Sequence, residues 1–480
     1  MITITRSKAR ILRSILRRVT LGIRHKSSVP QLVLSAEGTH LRAHYLYDSL
    51  AVEYVEPGHY QPLDSIPVPL DGLGEIEGRD DSPVVFEAAE PDKTVISWQD
   101  HGIPQIRECP VTPSGNLAPF PETPTAWTQA SADLITALAE ASDICTDESR
   151  RYALNCIQLR GTVHKMIATD GHQLLVRSGF GFPWDGDLLI KGSPIFAAKA
   201  LNRDEPVQIA KTDTHVVLRI GPWTIWNEIQ KDARFPGVEE VIPGSDAILT
   251  RLQLDPDDAR FLRSALDRLP GSEELNSPVT MDLNGIVAIR AKGADQSQIT
   301  ELILDRSRYT GSPIRINANR VFLRRAIQLG FSEVSISDVE TPVVCREQHR
   351  VYAWQPLGGD AAIEPAENVI RISSNPEPVI TNSITSKNQS QRRSMSAPIE
   401  KKGHESAAHA NGNGQATGDN PGSSLTTLIQ DAEALHATLT DARASIARLI
   451  AGLRRHRKQS RLVSETLKSL RQLKLTETVE

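Results

Sequence analysis

MIATDGHQLLVR, at Met166–Arg177, is followed about sixty residues later by ARFPGVEEVIP, at Ala233–Pro243. Within the first stretch, Asp170-Gly171 separates two apolar runs, a pattern that predicts a β-hairpin with a tight turn. Hairpins use Asp-Gly often, so this signal is common when it stands alone. Its pairing with an apolar, proline-containing segment at this distance is more specific than either stretch by itself.

One order of elements repeats three times along the chain, at a spacing of roughly 120–125 residues. Each repeat starts with an amphipathic helix and a pair of strands, continues with a short strand that enters a helix-like stretch, and closes with a β-rich pair. The leading helices are predicted at Ser7–Val19, Ala130–Ser142 and Pro256–Leu269, and the helix-like stretches at Ile66–Ile76, Leu188–Leu201 and Ile314–Leu329. Gly/Pro-rich joints such as Pro110–Pro124 separate the repeats. The pattern predicts the α+β class, with three tandem similar domains at residues 1–112, 125–243 and 246–358.

The composition changes after Leu357. Residues 359–423 are predicted to be a disordered linker, because the segment is rich in Ser, Asn, Gly and Gln and has little apolar surface to bury. Residues 424–475 again show apolar residues at spacings of three and four, which predicts a helix. Two interpretations of this helix stay open: a self-associating coiled coil, or an amphipathic helix docked on the body.

The net charge of −5 is mild, but its distribution is uneven. Glu37 is the first acidic residue, and eight Lys or Arg residues precede it. This basic, amphipathic start is also typical of an organelle transit peptide. It lacks a continuous apolar run, so a secretory signal is not expected. No run approaches the ~20 apolar residues of a membrane span, and four scattered cysteines fit a reducing compartment.

Motifs of common catalytic and metal sites are missing from the sequence. No zinc-protease, phosphate-loop, dinucleotide-loop or nucleophile-elbow pattern occurs, and no C-x-x-C pair suggests zinc. Asp170 and His172 could form an acid–base pair, but no neighbouring residues supply further ligands or a nucleophile. An enzyme that uses these two residues is therefore the least favoured of three hypotheses, and no cofactor is expected.

Three predicted helices present arginines opposite an apolar face. In Ser7–Val19 the apolar face comprises Ile11, Leu12, Ile15, Leu16 and Val19, and the other face carries Arg10, Arg13 and Arg17. Pro256–Leu269 offers Arg260 and Arg263, and Asn319–Leu329 offers Arg320 and Arg324. Charged helix surfaces are usually only solvated. Several equivalent basic helices could instead line a channel that follows DNA phosphates without reading bases.

The two opening stretches resemble the central domain of the bacterial sliding clamp, the beta subunit of DNA polymerase III. That family has a T-D-G-H-[RK]-L run followed by an F-P-x-x-x-x-[VI]-[IL]-P run, and the closing run Val351–Leu357 (VYAWQPL) resembles its C-terminal strand. The resemblance covers about residues 1–357. It implies a DNA-clamp fold with helices inside and antiparallel sheets outside. It also implies a head-to-tail homodimeric ring that slides on double-stranded DNA and has no chemical step of its own.

The resemblance further implies partners and sites. The expected partners are DNA, without sequence preference, and a DNA polymerase and clamp loader that bind through short peptides, in a cytoplasmic, nucleoid-associated protein. The peptide cleft carries over onto these positions: Thr169, Gly171, His172, Leu174, Pro236, Val241, Ala353 and Gln355. The positions that would face DNA carry over onto Arg24, Arg151 and Tyr152.

Several positions depart from the family pattern. Gln173 stands where a basic residue is usual, Ala353 and Gln355 stand where Val and Met are usual, and Trp354 replaces a smaller residue. A smaller and more polar cleft is expected to hold apolar peptide anchors less well. The stretch Pro69–Gly78 contains three glycines, so its helix is expected to be short or absent. These departures leave a second hypothesis open: a clamp-fold scaffold that has lost polymerase tethering and acts through its C-terminal helix.

Overall fold

The computed structural model describes residues 1–21, 31–60, 63–146, 151–201, 204–294, 296–359 and 362–375. All of these described residues belong to one compact unit. Arg24, most of the predicted linker and the whole predicted C-terminal helix lie outside the described residues. No helix of the described part is long and apolar enough to cross a membrane.

The first repeat begins with a strand that leads directly into a helix. Its elements are β1 (Ile2–Thr5), α1 (Arg6–Val19), β2 (Gln31–Ala36), β3 (His40–Tyr47), β4 (Leu50–Pro57), β5 (Leu63–Pro69), α2 (Leu73–Ile76), β6 (Pro83–Glu90), β7 (Lys93–Asp100) and β8 (Ile103–Pro110). Thr5 caps α1, because its hydroxyl accepts a hydrogen bond from the Lys8 amide at 3.2 Å. The helix buries Leu12, Ile15 and Leu16 as predicted, but Ile11 is 39 % exposed. The four-residue α2 confirms the expectation of a short helix.

The second repeat has the same order with a weaker second helix. Its elements are β9 (Thr128–Gln129), α3 (Leu134–Ser142), β10 (Cys156–Arg160), β11 (Lys165–Thr169), β12 (Gln173–Ser178), β13 (Asp187–Lys191), β14 (Val207–Lys211), β15 (His215–Ile220) and β16 (Trp223–Glu228). The helix-like stretch expected within Leu188–Leu201 is only a 3₁₀ turn at Pro194–Ala197. Ser193 caps this turn, and the Ala198 backbone is already extended.

The third repeat is the most regular of the three. Its elements are β17 (Thr250–Gln253), α4 (Pro256–Ala265), β18 (Pro278–Asn284), β19 (Ile286–Ala291), β20 (Ile299–Ile303), β21 (Arg308–Gly311), β22 (Ile314–Asn319), α5 (Arg320–Gln328), β23 (Glu333–Ile336), β24 (Val343–Glu347) and β25 (Arg350–Trp354). Asp255 and Asn319 cap α4 and α5 through their side chains. One further strand, β26 (Val369–Ser373), follows the repeat.

Two of the four sheets run across the repeats. The strand orders are β5-β2-β3-β4-β16-β15-β14-β9 and β13-β10-β11-β12-β25-β24-β23-β17-β21. The first repeat is thus joined to the second by β4–β16, and the second to the third by β12–β25, each with five antiparallel residue pairs. We call these pairings the first junction and the second junction. Each includes the chain segment that crosses it, residues 111–127 at the first junction and 229–249 at the second.

Each of the two remaining sheets in the described residues is built from a single repeat, with the following strand β26 added to one of them. Their orders are β1-β6-β7-β8 in the first repeat and β22-β18-β19-β20-β26 in the third. Strand β26 lies within residues 359–423, so the prediction of a disordered linker is wrong for this strand. It pairs with β20 in parallel over five residues, and a sheet edge offers backbone hydrogen bonds that composition alone does not reveal.

Candidate functional site

The turn between β11 and β12 is closed by its own side chains. The Asp170 carboxylate accepts hydrogen bonds from the backbone amides of His172 (2.8 Å) and Gln173 (2.9 Å) and from the Gln173 side-chain amide (2.7 Å). Thr169 Oγ1 donates to the Gln173 carbonyl at 2.6 Å. Gly171 has φ +89°, a backbone region that favours glycine. Asp170 is therefore committed to the turn, and the geometry gives no support to an acid–base pair with His172.

Gln173 connects this turn to the third repeat. Gln173 is 6 % exposed, and its side-chain oxygen Oε1 accepts hydrogen bonds from the Tyr352 hydroxyl at 2.7 Å and from Arg325 at 3.4 Å. Burial raises the pKa of Tyr352 well above its ordinary value, so the hydroxyl stays protonated as a donor. The sequence marked Gln173 only as a departure from the family pattern, and no local signal identified Tyr352 or Arg325 as its partners.

Strands β12 and β25 bring most of the predicted cleft residues together. Leu174 lies opposite Ala353 in the antiparallel register, and the Gln355 amide donates to the His172 carbonyl at 2.8 Å. Side chains alternate between the two sheet faces, so Trp354 points away from Ala353 and is buried in the main core. The larger residue at position 354 therefore does not narrow the cleft.

The outer face of the second junction has an apolar floor of Ile167, Leu174 and Val176, and the chain itself covers this floor. Four hydrophobic residues pack against it: Phe235, Val238, Ile242 and Val351. Glu239, on the crossing segment, is bound by Arg160 and by Lys165, the latter at 2.7 Å. Burial opposes ionisation of Glu239, but its hydrogen bond with Lys165 is the larger effect and lowers the pKa. This ionic contact fixes the segment over β10 and β11.

The predicted cleft residues differ in accessibility. Thr169 and Leu174 are 2 % and 5 % exposed, and Ala353 is also buried. Gly171, His172, Val241 and Gln355 are exposed, and Pro236 is partly exposed. We call these last five residues the outer rim. A peptide that met this site would touch the rim first and would reach Leu174 only if residues 235–242 moved.

A cavity of about 580 Å³ lies beside the site rather than in it. Its lining includes Gln158, Leu189, Ile229 and Arg234, and it shares only Phe235 with the cover of the apolar floor. None of the rim residues lines it. In the described ranges, no group of three or more His, Cys, Asp or Glu side chains could hold a metal ion.

In the first repeat, Arg10 and Arg17 are exposed on α1 and fit a phosphate-facing surface. Arg13 is paired with Glu77 at 2.7 Å, which reduces its local charge. Helix α1 has no acidic residue in its first turn, although its N-terminal end would favour one. Two of the three predicted arginines on this helix are therefore exposed, as contact with a phosphate backbone would require.

In the third repeat, the predicted arginines occupy different environments. Arg263 is exposed, Arg260 is exposed and bound to Asp257 at 2.8 Å, and Arg324 is bound to Asp267.

The prediction that Arg320 faces DNA is wrong, because this side chain is 2 % exposed. Its guanidinium donates to five backbone carbonyls, those of Leu266, Leu269, Pro270, Ser277 and Pro278. Burial lowers its pKa from the ordinary value.

The second repeat contributes little basic surface in its described part. Arg151 lies over the Tyr152 ring at 5.1 Å, and Arg234 approaches the same ring at 5.6 Å. Helix α3 carries no basic residue, and the buried Arg177 binds both Asp133, at its N-terminal end, and Glu140, within it. The basic surface of the described helices is thus discontinuous.

Comparisons with solved structures identify the fold. The chain is similar to the DNA polymerase sliding clamp of Pseudomonas aeruginosa, with a TM-score of 0.60 and 19 % identity over 74 % of this chain and 99 % of that one. The sliding clamp of Bacillus subtilis gives a TM-score of 0.60 and 16 % identity, over 74 % and 98 % of the two chains. The DNA polymerase III beta chain of Streptococcus pneumoniae gives 0.59 and 14 %, over 74 % and 99 %. No protein-family model and no curated protein sequence matches. The chain therefore has the DNA-clamp fold, with predominantly antiparallel sheets, as its sequence predicted.

Proposed function

We propose that this protein is a sliding-clamp-like processivity factor, which closes a homodimeric ring around duplex DNA and tethers replication or repair proteins. The observation that carries the proposal is the three-repeat clamp fold, matched over almost the full length of solved clamps. The exposed arginines of α1 and α4 support contact with phosphates independent of sequence. The protein would act in the bacterial cytoplasm, on the nucleoid, and as an accessory subunit without chemistry of its own.

Partner peptides would bind on the outer rim of the second junction. Here the His172 and Gln355 side chains are exposed beside an apolar floor. The floor is covered by residues 235–242, so anchoring an apolar side chain requires that segment to yield. Burying such a side chain contributes roughly 1.5–3 kcal/mol, part of which would be spent on moving the cover. We therefore expect weak peptide binding.

The test of ring function is retention on DNA. The full-length, fluorescently labelled protein is incubated with a clamp loader, ATP and nicked circular DNA, and half of the complexes are then linearised with a restriction enzyme. A sliding ring stays on the circles and runs off the free ends of the linear molecules. Equal retention on both forms would contradict the proposal.

The same fold supports a second candidate function, a scaffold that no longer tethers polymerase, and the covered apolar floor is the observation that favours it. Replacing Gln355 by Met separates the candidates, because Met adds apolar contact at the rim and removes the 2.5 Å bond from the Gln355 side chain to the Glu340 carbonyl. If the site is used, a clamp-binding peptide should bind Gln355→Met up to roughly tenfold more tightly. The exposed Gln99 in β7 offers a matched Gln→Met control with no expected effect. A peptide that binds neither wild type nor Gln355→Met favours the scaffold.

A further inference from the structure

The two junctions use equivalent strands of successive repeats. In each, the third strand after a repeat's leading helix (β4 or β12) pairs antiparallel with the last strand of the next repeat (β16 or β25). The strands equivalent to these that take no part in either junction are β20 of the third repeat and β8 of the first. Strand β8 ends its sheet with no strand on its outer edge among the described residues, and Ile103 and Ile106 on it are 62 % and 73 % exposed. A third junction of the same kind would join β20 to β8 of a second copy.

The edge of β20 is already occupied by β26 of the same chain. The described residues that lead to β26 follow a path over their sheet similar to that of the second junction's crossing segment. It leaves the sheet at a bridge between Asn317 and Leu357, as the earlier segment leaves at Ile190 and Ile229. The Ile363 amide then donates to Thr280 of β18 at 2.9 Å. The crossing segment of the second junction likewise contacts β10, the equivalent of β18, through Glu239.

Residues 362–375 also cover a buried charged cluster on this sheet. Arg290, Asp282 and Glu301 are each 2 % exposed, and Arg290 bonds both carboxylates. Arg371 of β26 adds a second contact to Glu301 at 2.7 Å. A partner strand that replaced β26 and buried this cluster again would therefore have to supply hydrogen bonds of its own.

Strand β26 is held mainly through its backbone and polar surface contacts. Ile370 and Ile372 are 49 % and 42 % exposed, so little apolar area fixes them. Further polar contacts include those of the Ser374 hydroxyl with Asp258 at 2.6 Å, of the Ser373 hydroxyl with Asp305, and of the Gln298 amide with Asn368 at 2.9 Å. By contrast, β25 buries Tyr352 and Trp354 in the core. An edge strand with so few buried apolar contacts belongs to the low-stability part of a fold.

We propose that β26 blocks the edge of β20 that a third junction would use, and that β8 of a second copy of this chain competes with β26 for this edge. This inference rests on the proposed ring, since it concerns how that ring is kept open. With β26 in place, the two copies cannot form the β8–β20 pairing. Release of β26 exposes β20 and permits closure by strand addition.

The experiment weakens β26 by one backbone hydrogen bond in the full-length protein. The Ser374 amide donates to the Ile303 carbonyl at 2.9 Å. In a parallel ladder every second residue points its amide at the same neighbouring strand, so the Ile372 amide also points at β20. Ile372→Pro removes that donor, whereas Ile372→Val keeps it and is the matched control. Hydrogen exchange of β8 amides is measured together with sedimentation, and the amides of β12 and β25 report that the body stays folded.

We expect wild type and Ile372→Val to exchange rapidly those β8 amides that point away from β7, its only paired strand among the described residues. Ile372→Pro should protect β8 and self-associate roughly tenfold more tightly, the equivalent of one hydrogen bond. Adding Ile106→Lys to Ile372→Pro should abolish both effects, which excludes association through the C-terminal residues as their cause. Equal β8 protection in wild type and Ile372→Pro overturns the competition. If that shared protection is high, the proposed ring survives without it; if it is low, ring closure through β8 fails as well.

Discussion

The first and second junctions share one backbone plan but differ in what covers them. Each joins two repeats by five antiparallel residue pairs, and a crossing segment lies on the outer face of each. At the first junction that segment is aromatic: Phe120 stacks on His44 at 4.2 Å and meets Trp226 edge-on at 5.0 Å. At the second junction the cover is largely aliphatic, and it lies on Ile167, Leu174 and Val176.

The polar groups of the junctions differ as well. The first junction holds Glu53 in an ion pair with Arg42 and a hydrogen bond with His44, both at 2.9 Å. The second holds Gln173 with the neutral Tyr352 hydroxyl. Aromatic stacking and the Arg42–Glu53 ion pair hold the first junction together. At the second junction the aliphatic cover leaves the rim residues exposed. The comparison gives the first junction a structural role and is consistent with the docking role proposed for the second.

The largest expected effect comes from removing Trp226. This side chain is fully buried and its indole N–H donates to the Glu122 carbonyl at 3.1 Å. Trp226→Ala should lower the free energy of unfolding by about 3–5 kcal/mol, since it leaves a large cavity and an unpaired carbonyl. Leu174→Ala at the second junction should cost about 2–4 kcal/mol. Denaturant titration measures both losses.

Trp127→Ala is the control for Trp226→Ala, because Trp127 is only partly buried and lies under Arg219 at 3.9 Å. It should cost clearly less than Trp226→Ala. If Leu174→Ala lowered the free energy of unfolding as much as Trp226→Ala or more, the distinction between a tightly held first junction and a movable cover at the second would be contradicted.

A smaller effect is expected from Tyr352→Phe at the second junction. The substitution removes the hydroxyl but keeps the buried ring, so it should cost about 0.5–1.5 kcal/mol. A double-mutant cycle with Gln173→Leu should give a coupling near 1 kcal/mol, because each residue satisfies the other. Additive losses in the cycle would show that Gln173 does not tie the repeats together.

The smallest effect at neutral pH is expected from Glu53→Gln, which keeps the shape of the side chain. Burial alone would raise the pKa of Glu53, but hydrogen bonds from His44 and Arg42 outweigh burial and lower it. A lowered pKa in the folded state stabilises the protein above the unfolded pKa of about 4.5, and this stability is lost as pH falls through the folded value.

Hydrogen exchange of β4 and β16 below pH 4.5 measures this loss. Amides of the first junction should lose protection in acid before those of β12 and β25. Glu53→Gln should remove that difference in pH dependence between the junctions. An unchanged difference would place the acid-sensitive group elsewhere.

Much of the fold follows from local sequence. The Asp170-Gly171 turn, the arginine face of α1 and the shortness of α2 all depend on residues within a few positions of one another. The candidate site was only partly predictable. The structure brings the predicted residues His172, Leu174, Ala353 and Gln355 together at β12 and β25. Burial of Leu174 also depends on the crossing segment, which lies about sixty residues away in the chain.

The sequence by itself determined the three repeats, their hairpins and the signature that placed the chain in the clamp fold, because periodicity and turn chemistry act over short distances. Only the tertiary structure decided that Arg320 is an internal carbonyl anchor, that Gln173 joins two repeats and that β26 fills the edge of β20. These contacts join residues 51, 179 and 70 positions apart. An arginine on a helix, a glutamine after a turn or a short β-branched run has the same local pattern whether its partner is water or protein.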